Sequence, residues 1–168
     1  TETGGLNPET DALLEIGAIF VCNNKKVGDY SEIINPNPNL LIKSEALNIN
    51  KLDISELHQI GWFELDILHD FISKVAQHGM LDATIAGWNV SFDIAFLKNL
   101  FKRHNIEYLF SYRTLDIQSI WKFHNKSSAQ SLSKVSEFLF MHPSEHRALK
   151  DAELTFEIYK YLLTNNTK

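Results

Sequence analysis

Three acidic residues and one histidine, which lie far apart in the chain, could together form a single metal site. Glu2 stands near the start, Asp93 near the middle, and His146 and Asp151 form a His-x4-Asp pair ahead of an apolar helix. Carboxylates can hold two divalent cations ~3.5–4 Å apart, and such a pair stabilises the attacking and leaving oxygens of a phosphodiester together. A histidine, whose ordinary pKa lies near neutrality, suits the removal of a proton from the attacking water. The set therefore predicts two-metal phosphodiester chemistry.

Each of these residues also has an ordinary interpretation when it is taken alone. An acid near a terminus is usually solvated, an acid in the first turn of a helix favours the macrodipole, and a histidine in a loop is commonly a surface residue. Two of the neighbourhoods favour the site instead. Glu2 is followed by a Thr-Gly-Gly turn, where glycine lets the backbone approach a ligand closely. Asp93 lies in a strongly apolar segment, where a carboxylate needs a cation partner.

The spacing of His146 and Asp151 decides where each must lie. Five residues correspond to roughly 140° around an ideal helix, so a single helix could not aim both side chains at one point. The pair works if His146 lies on the loop after Pro143 and Asp151 lies in the first turns of the following helix. We therefore expect a loop-borne histidine that reaches a water molecule and a helix-borne aspartate that holds a metal.

Other kinds of site find no support in the sequence. The remaining histidines are scattered and Cys22 is the only cysteine, so there is no zinc pattern, and there is no GxxxxGK loop or GxSxG elbow. Asp116 could be a further acid near the site, but a cap at the start of a helix is the favoured interpretation. Cys22 excludes an internal disulfide, and we interpret it as a reduced, intracellular thiol in or near the core.

The apolar periodicity predicts an α/β fold, with a mixed sheet and helices on both faces. A nearly unbroken apolar run predicts a strand covered on both faces over 12–21, joined by a hairpin at Asn23-Asn24-Lys25-Lys26 to a strand over 27–34. Further expected elements are a strand over 83–88 and helices over 64–77, 91–104 (with Ser91 as N-cap), 132–140 and 147–163. The last helix places Ala148, Ala152, Phe156, Tyr159 and Leu163 on one face.

The chain of 168 residues reads as a single domain, 1–168, and its first residues look like the exit of a strand. We therefore expect that N-terminal residues of the first strand are missing. No apolar run reaches the ~20 residues that span a bilayer, so no membrane association is expected.

The net charge of −5 argues against a protein that grips long nucleic acid by neutralising many phosphates. It is compatible with an enzyme that touches a few terminal nucleotides, because bound divalent metals supply positive charge. The basic groups at Arg103 and His104 are interpreted as parts of solvated helix faces. Leu6, Trp88 and Phe92 could stack on or wedge against a base, although core packing is favoured for Phe92.

Three short segments stand in order with fitting spacers: Glu2–Leu6, Asn89–Asp93 and His146–Asp151. They resemble, in turn, the end of Asp-x-Glu-Thr-x-Gly, the motif Asn-x-x-Phe-Asp and the motif His-x4-Asp of the DEDD exonuclease superfamily, in its histidine-containing branch (DEDDh). That branch includes ribonuclease T, oligoribonuclease and the proofreading epsilon subunit of bacterial DNA polymerase III. The run Thr10–Ile19 is especially similar to the corresponding run of ribonuclease T.

The resemblance implies a ribonuclease H-like fold. It also implies stepwise 3′→5′ removal of nucleoside 5′-monophosphates from single-stranded RNA or DNA ends, with two Mg²⁺ or Mn²⁺ ions. By the same resemblance Glu2, Asp93 and Asp151 are metal ligands and His146 is the general base. Substrate contacts are expected from Thr3, Leu6, Trp88, Asn89 and Phe92. The family's leading Asp ligand would immediately precede Thr1, and Trp88 stands where the family commonly has histidine, which bears on substrate preference.

Two classes of function stay open. The first is the exonuclease, and the alternative is a catalytically silent nuclease-fold module that docks to a polymerase or another partner. The intact set Glu2, Asp93, His146 and Asp151 argues against the silent module, whereas a non-acidic residue before Thr1 would favour it. Proteins of the resembled branch include homodimers and polymerase-bound subunits. We therefore expect a homodimer or a polymerase-associated subunit, in the cytoplasm.

Overall fold

The computed structural model describes residues 1–125 and 131–165, which form five strands and seven helices. In chain order these are β1 Glu2–Thr3, β2 Leu13–Cys22, β3 Lys25–Ile33, α1 Ser44–Asn50, α2 Ile54–Ile60, α3 Glu64–Gln77, β4 Ile85–Gly87, α4 Val90–Arg103, β5 Thr114–Asp116, α5 Ile117–Asn125, α6 Leu132–Phe138 and α7 Ala148–Asn165. The order is that of the predicted α/β fold. In the described part of the chain no helix is long and apolar enough to cross a membrane.

The strands form two small sheets. β1, β2 and β3 make an antiparallel sheet in that order, and β4 and β5 make a parallel pair. A two-residue turn joins β2 to β3 at Asn23 and Asn24, whose φ angles of 50° and 59° match the twist of the flanking strands. The predicted hairpin is confirmed, with a tighter turn than the four residues expected.

Strand β2 is buried on both of its faces. Ile16 and Phe20 belong to the main core, which α3 and α4 complete with side chains such as Leu100. Neighbouring residues of a strand point to opposite faces. On the other face Gly17 meets the first turn of α7, because a Cβ built on it would lie 2.0 Å from the main-chain nitrogen of Leu149. The prediction of a strand covered on both faces is therefore confirmed.

A second core lies between α5, α6 and α7. Its buried members are Ile117, Trp121, Val135, Leu154, Ile158 and Leu162. The face predicted for the last helix is wrong at its end, since Leu163 is 41% exposed while Leu162 is buried; the other four residues of that face are buried or partly buried. The second half of α7 carries two adjacent apolar rows, and periodicity alone does not decide which of them is covered.

Two local predictions are wrong. Cys22 is exposed at the end of β2, beside the hairpin turn, and not in or near the core. Ser91 lies inside α4, and the N-cap is Asn89, which has a left-handed φ of 57° and no side-chain capping bond. The helices α1 and α2 were not predicted, because seven residues are too few for an apolar period to show.

A buried acid ties the start of α3 to the end of α4. Glu64 is 6% exposed and accepts hydrogen bonds from Arg103 Nη2 at 2.6 Å and Arg103 Nε at 3.3 Å, with His104 Nε2 at 3.1 Å. Arg103 and His104 are therefore not the solvated groups that the sequence predicted. Burial alone would raise the pKa of Glu64, but the hydrogen bonds and the attraction of Arg103 outweigh it and lower the pKa.

We expect Glu64→Gln to lower the free energy of unfolding by about 2 kcal/mol near neutral pH, because Arg103 loses its counter-charge while part of the hydrogen bonding survives. Since the folded pKa is the lower one, the carboxylate's contribution is complete above the unfolded value of ~4.3 and fades as pH falls through the folded value. Urea unfolding at neutral and at acidic pH measures both effects, with the exposed Glu107→Gln as control. An equal loss at both pH values would contradict the ion pair.

Candidate functional site

The first short strand delivers Glu2 and the loop after it to one place beside β2. β1 pairs with β2 in antiparallel register, which fixes Glu2 in the sheet. Thr3 is buried, and its hydroxyl donates to the carbonyl of Gly5 at 2.7 Å, which closes the turn. Leu6 follows and is 81% exposed. The Thr-Gly-Gly segment thus forms the predicted tight turn and presents an apolar side chain to solvent.

Asp11 holds this loop from beneath. It is fully buried and accepts hydrogen bonds from the Asn7 amide at 3.0 Å and from Lys43 Nζ at 2.7 Å. A Cβ on Gly5 would lie 2.0 Å from Asp11 Oδ2, so only glycine fits at that position. Burial would raise the pKa of Asp11, but the Lys43 and amide hydrogen bonds outweigh it and lower the pKa. No local pattern indicates this role of Asp11, since its partner Lys43 is 32 residues away.

Asp93 lies in the first turn of α4 and joins that helix to the start of β1. Its Oδ1 accepts from the α-amino group of Thr1 at 2.7 Å and from the Thr1 hydroxyl at 2.8 Å. The residue directly before Glu2 is therefore in contact with Asp93.

Asp116 has a second role besides the predicted helix cap. As expected, it caps α5: Oδ1 accepts from the Gln118 amide at 3.1 Å and Oδ2 from the Ser119 hydroxyl at 2.8 Å. It also accepts from the Asn89 amide at 3.0 Å, across the β4–β5 pair. The same carboxylate thus holds Asn89, the residue that precedes α4, in its left-handed conformation.

His146 and Asp151 take the places that their spacing predicted. His146 lies on the loop before α7 with a φ of 54°, and Asp151 lies in the first turn of the helix. The Ser144 hydroxyl is within 2.9 and 3.0 Å of the two Asp151 carboxylate oxygens. Burial raises the pKa of Asp151, and the Ser144 hydrogen bond and the nearby His146 offset it only in part.

A cleft of about 780 Å³ gathers the three predicted acids. It runs between residues 16–21 of β2 and residues 83–88 around β4, with α4 and α7 alongside. Glu2, Asp93 and Asp151 all line it, as does Trp88. His146 is not among the lining residues and lies next to Asp151 at the start of α7. The structure therefore brings the acids together and leaves the histidine beside them.

Negative charge accumulates around Glu2. Burial raises its pKa to about 8; the Thr1 amino group opposes this, and Asp151, Glu15 and Asp93 add to it. A carboxylate with so high a pKa is short of a positive partner. The local chemistry therefore favours a cation.

The donor set fits a hard divalent cation. Carboxylate oxygens are the ligands that Mg²⁺ and Mn²⁺ prefer, and Glu2, Asp93 and Asp151 would supply them. In residues 1–125 and 131–165, however, no group of three or more His, Cys, Asp or Glu side chains is spaced to hold a metal ion as the structure stands. Thr1 and Ser144 occupy Asp93 and Asp151 instead. A bound cation would replace these hydrogen bonds.

Of the five residues predicted to contact substrate, Thr3 is buried and the other four fall into two groups. Leu6 and Asn89 are exposed and free to meet a ligand from solution. Trp88 and Phe92 are half-buried: Trp88 packs against the second core, and Phe92 lies 5.0 Å from Phe96, ring to ring, at the edge of the main core. The favoured core role of Phe92 agrees with this packing.

We expect Asp151→Asn to leave the protein at least as stable as wild type when divalent ions are removed, because it takes away one buried charge among like charges. Added Mn²⁺ should raise the melting temperature of wild type but not of the variant. At a concentration of about 100 Kd the gain is ~2.7 kcal/mol. Thermal unfolding with chelator and with Mn²⁺ measures this, with the exposed Glu9→Gln as control. An equal Mn²⁺ effect on wild type and Asp151→Asn would place the ion elsewhere.

Comparison with known families gives one match that spans nearly the whole chain. Residues 1–159 match the family model RNase_T, described as an exonuclease. A DNA polymerase III of the PolC type from Thermotoga maritima is 29% identical over 161 residues, and a 3′-5′ exonuclease DinG from Staphylococcus haemolyticus is 27% identical over 156 residues. These matches cover 94% and 92% of this chain but 11% and 16% of the relatives. The chain thus spans less than a fifth of the length of these curated relatives.

Solved structures share the fold. The zinc-bound complex of E. coli ExoI with ssDNA has a TM-score of 0.85 at 19% identity, covering 98% of this chain and 39% of that one. Exonuclease X in complex with 5′ overhanging duplex DNA has a TM-score of 0.68 at 17% identity, covering 100% and 91%. At these identities the likeness speaks for the fold alone, and it confirms the predicted ribonuclease H-like α/β architecture.

Proposed function

Because this chain belongs to the RNase_T exonuclease family, we propose that it is a metal-dependent 3′→5′ exonuclease. Its substrates would be single-stranded ends of RNA or DNA, and its products nucleoside 5′-monophosphates. The observation that carries the proposal is the meeting of Glu2, Asp93 and Asp151 in one cleft, where the pKa of Glu2 is raised to about 8. Three acids from three separate elements line this cleft, and burial raises the pKa of two of them, Glu2 and Asp151, which a shared cation would relieve.

The acids would hold the metal, and other residues would handle the proton. Two Mg²⁺ or Mn²⁺ ions bound by Glu2, Asp93 and Asp151 would supply the positive charge that stabilises the attacking and leaving oxygens. His146 is half-buried on a loop beside Asp151, where its imidazole can take a proton from water. The Asp ligand that the family resemblance places before Thr1 stays a prediction.

The terminal nucleotide would be bound by the exposed residues at the rim. Leu6 stands out from a loop held rigidly by Asp11, so it can wedge against a base with little loss of conformational freedom. Asn89 is exposed, and its backbone amide is held by Asp116; its side-chain oxygen accepts a long hydrogen bond from the Ser91 hydroxyl at 3.4 Å, which leaves the side-chain NH2 to donate to a nucleotide. The Thr3 hydroxyl already donates to the Gly5 carbonyl, so it could donate to a substrate only if that bond opened.

A second candidate is the silent nuclease-fold module that docks to a polymerase or another partner. It is favoured by the absence, within the described residues, of a set of side chains already spaced for a metal ion. The length of the relatives also suits a domain that works within a larger protein. The assays below separate the two candidates.

We expect a metal-dependent ladder that shortens one nucleotide at a time from the 3′ end when 5′-labelled single-stranded RNA and DNA are incubated with Mg²⁺ or Mn²⁺. His146→Ala should slow the reaction by about 10²–10⁴-fold through loss of the general base, and Asp151→Ala should abolish it. The matched control is His142→Ala, an exposed histidine of the same loop, which should act like wild type. Denaturing gels with a chelator lane measure all four proteins.

If folded wild type that carries the residues preceding Thr1 shortens neither substrate with either metal, the silent module becomes the better explanation. Equal activity in wild type and His146→Ala would remove the histidine from the mechanism without removing the exonuclease.

We expect Leu6→Ala to raise KM roughly tenfold with a smaller change in kcat, because about 1.5 kcal/mol of apolar contact with the terminal base is lost. Since Leu6 is 81% exposed, folding stability should not change. The control is Val27→Ala, which removes a 48%-exposed apolar side chain from the hairpin strand β3. Steady-state kinetics on a short oligonucleotide measures both, and identical KM values would exclude a Leu6 contact.

A further inference from the structure

The strand β2 carries a buried acid that the proposed chemistry does not use. The side chain of Glu15 is 1% exposed. It accepts hydrogen bonds from Arg147 Nε at 3.1 and 3.2 Å, from Arg147 Nη2 at 3.0 Å and from the Ala148 amide at 3.1 Å. A carboxylate buried this deeply is tolerated only when it is paired and hydrogen-bonded. The partners it has are the two residues that directly follow His146.

Glu15 thereby fixes the junction between a loop and a helix. The amide of Ala148 is one of the first N–H groups of α7, which have no partner within the helix. Arg147 closes the other side of the carboxylate and remains half-exposed. Between them, the two contacts hold the chain immediately after His146, whose own φ of 54° is a conformation that non-glycine residues seldom adopt.

Gly17 lies two residues further along the same face of β2 and makes a second contact with the start of α7. A Cβ at this position would lie 2.0 Å from the main-chain nitrogen of Leu149 and 2.2 Å from the carbonyl carbon of Ala148. These are backbone atoms, so they could not move aside without moving the helix. Glu15 and Gly17 together therefore set the direction of the first turn of α7 and its distance from β2. The same turn bears Asp151.

The rest of α7 stays packed in the domain without the contacts of Glu15 and Gly17. Leu154, Ile158 and Leu162 anchor the helix in the second core with α5 and α6. Lys26 adds a surface ion pair to Glu153 at 2.7 Å. Loss of the Glu15 contact would thus free the first turn and the loop before it while the helix stays in place.

We propose that Glu15 is a positioning residue, which acts through Arg147 and the Ala148 amide to place His146 against the reacting water and Asp151 in the cleft. The proposal rests on the exonuclease function proposed above. Arg147 is part of the same device, because without it the buried carboxylate would be left with the single amide bond.

The test compares Arg147→Lys, Arg147→Ala and Glu15→Gln with wild type. Lysine keeps the charge but not the two-pronged contact, and glutamine keeps the shape and the bond to the Ala148 amide but not the charge. The matched control is Glu153→Gln, which removes the surface ion pairs of Glu153 with Lys26 and Lys150 on the same helix and leaves the Glu15 contacts intact. The readouts are kcat and KM on a short oligonucleotide, the melting temperature, and the imidazole NMR signals of His146 with His142 as internal reference.

Positioning predicts that kcat falls by about tenfold or more in Arg147→Ala with KM nearly unchanged, because small misplacements of a catalytic group are costly. Arg147→Lys should recover part of the loss. The His146 signals should shift in the variants while those of His142 stay in place, and Glu153→Gln should match wild type in every readout.

The proposal is overturned if folded Arg147→Ala and Glu15→Gln keep wild-type kcat and an unmoved His146 signal. It is also overturned if kcat falls only in proportion to the unfolded fraction. Should wild type prove inactive, the exonuclease function fails, and the NMR comparison still decides whether Glu15 places His146. If Glu15→Gln does not fold, the half-exposed Arg147 variants carry the same decision.

Discussion

Strand β2 must be covered on both of its faces, and the rest of the structure depends on that constraint. Ile16 and Phe20 enter the main core, which draws α3 and α4 to one face. Glu15 and Gly17 receive the first turn of α7 on the other. Since α4 carries Asp93 and α7 carries Asp151, the strand that organises the hydrophobic core also determines which acids can meet.

Six acids in and around the cleft fall into two groups: three that support the loops and helix ends of the site, and three that line the cleft. Asp11 supports the loop that presents Leu6, Asp116 holds Asn89 before α4, and Glu15 holds the residues after His146. Each of these three is supplied with cationic or hydrogen-bond donors by the protein. Two of the three lining acids are poorly supplied: the raised pKa values of Glu2 and Asp151 result from burial without sufficient positive charge nearby. The folded protein thus gives hydrogen-bond or ion-pair partners to the three supporting carboxylates and leaves Glu2 and Asp151 short of a counter-charge.

Much of this arrangement could be predicted from the sequence, because long apolar periods and short motifs are local signals. The helix over Glu64–Gln77, the hairpin, and the placement of His146 on a loop ahead of Asp151 were all local in this sense. What could not be predicted depends on partners distant in the chain. The pair Glu15–Arg147 spans 132 residues, and Asn89 became an N-cap because Asp116, 27 residues later, accepts its amide. The prediction for Cys22 was wrong because the residue follows an apolar run in the sequence, yet the end of the strand beside the turn is exposed to solvent.

The separation of the strands into two sheets affects the stability of the domain as well as the chemistry of the cleft. Glu2 belongs to the antiparallel sheet, while Asp93 follows β4 of the parallel pair, and the cleft lies between the two. No backbone ladder sets the distance between these carboxylates in the described structure; side-chain packing and the contact of Thr1 with Asp93 do so. An ion shared by the two acids would cross-link the two sheets. Loss of that ion would lower the stability of the whole domain as well as empty the metal site.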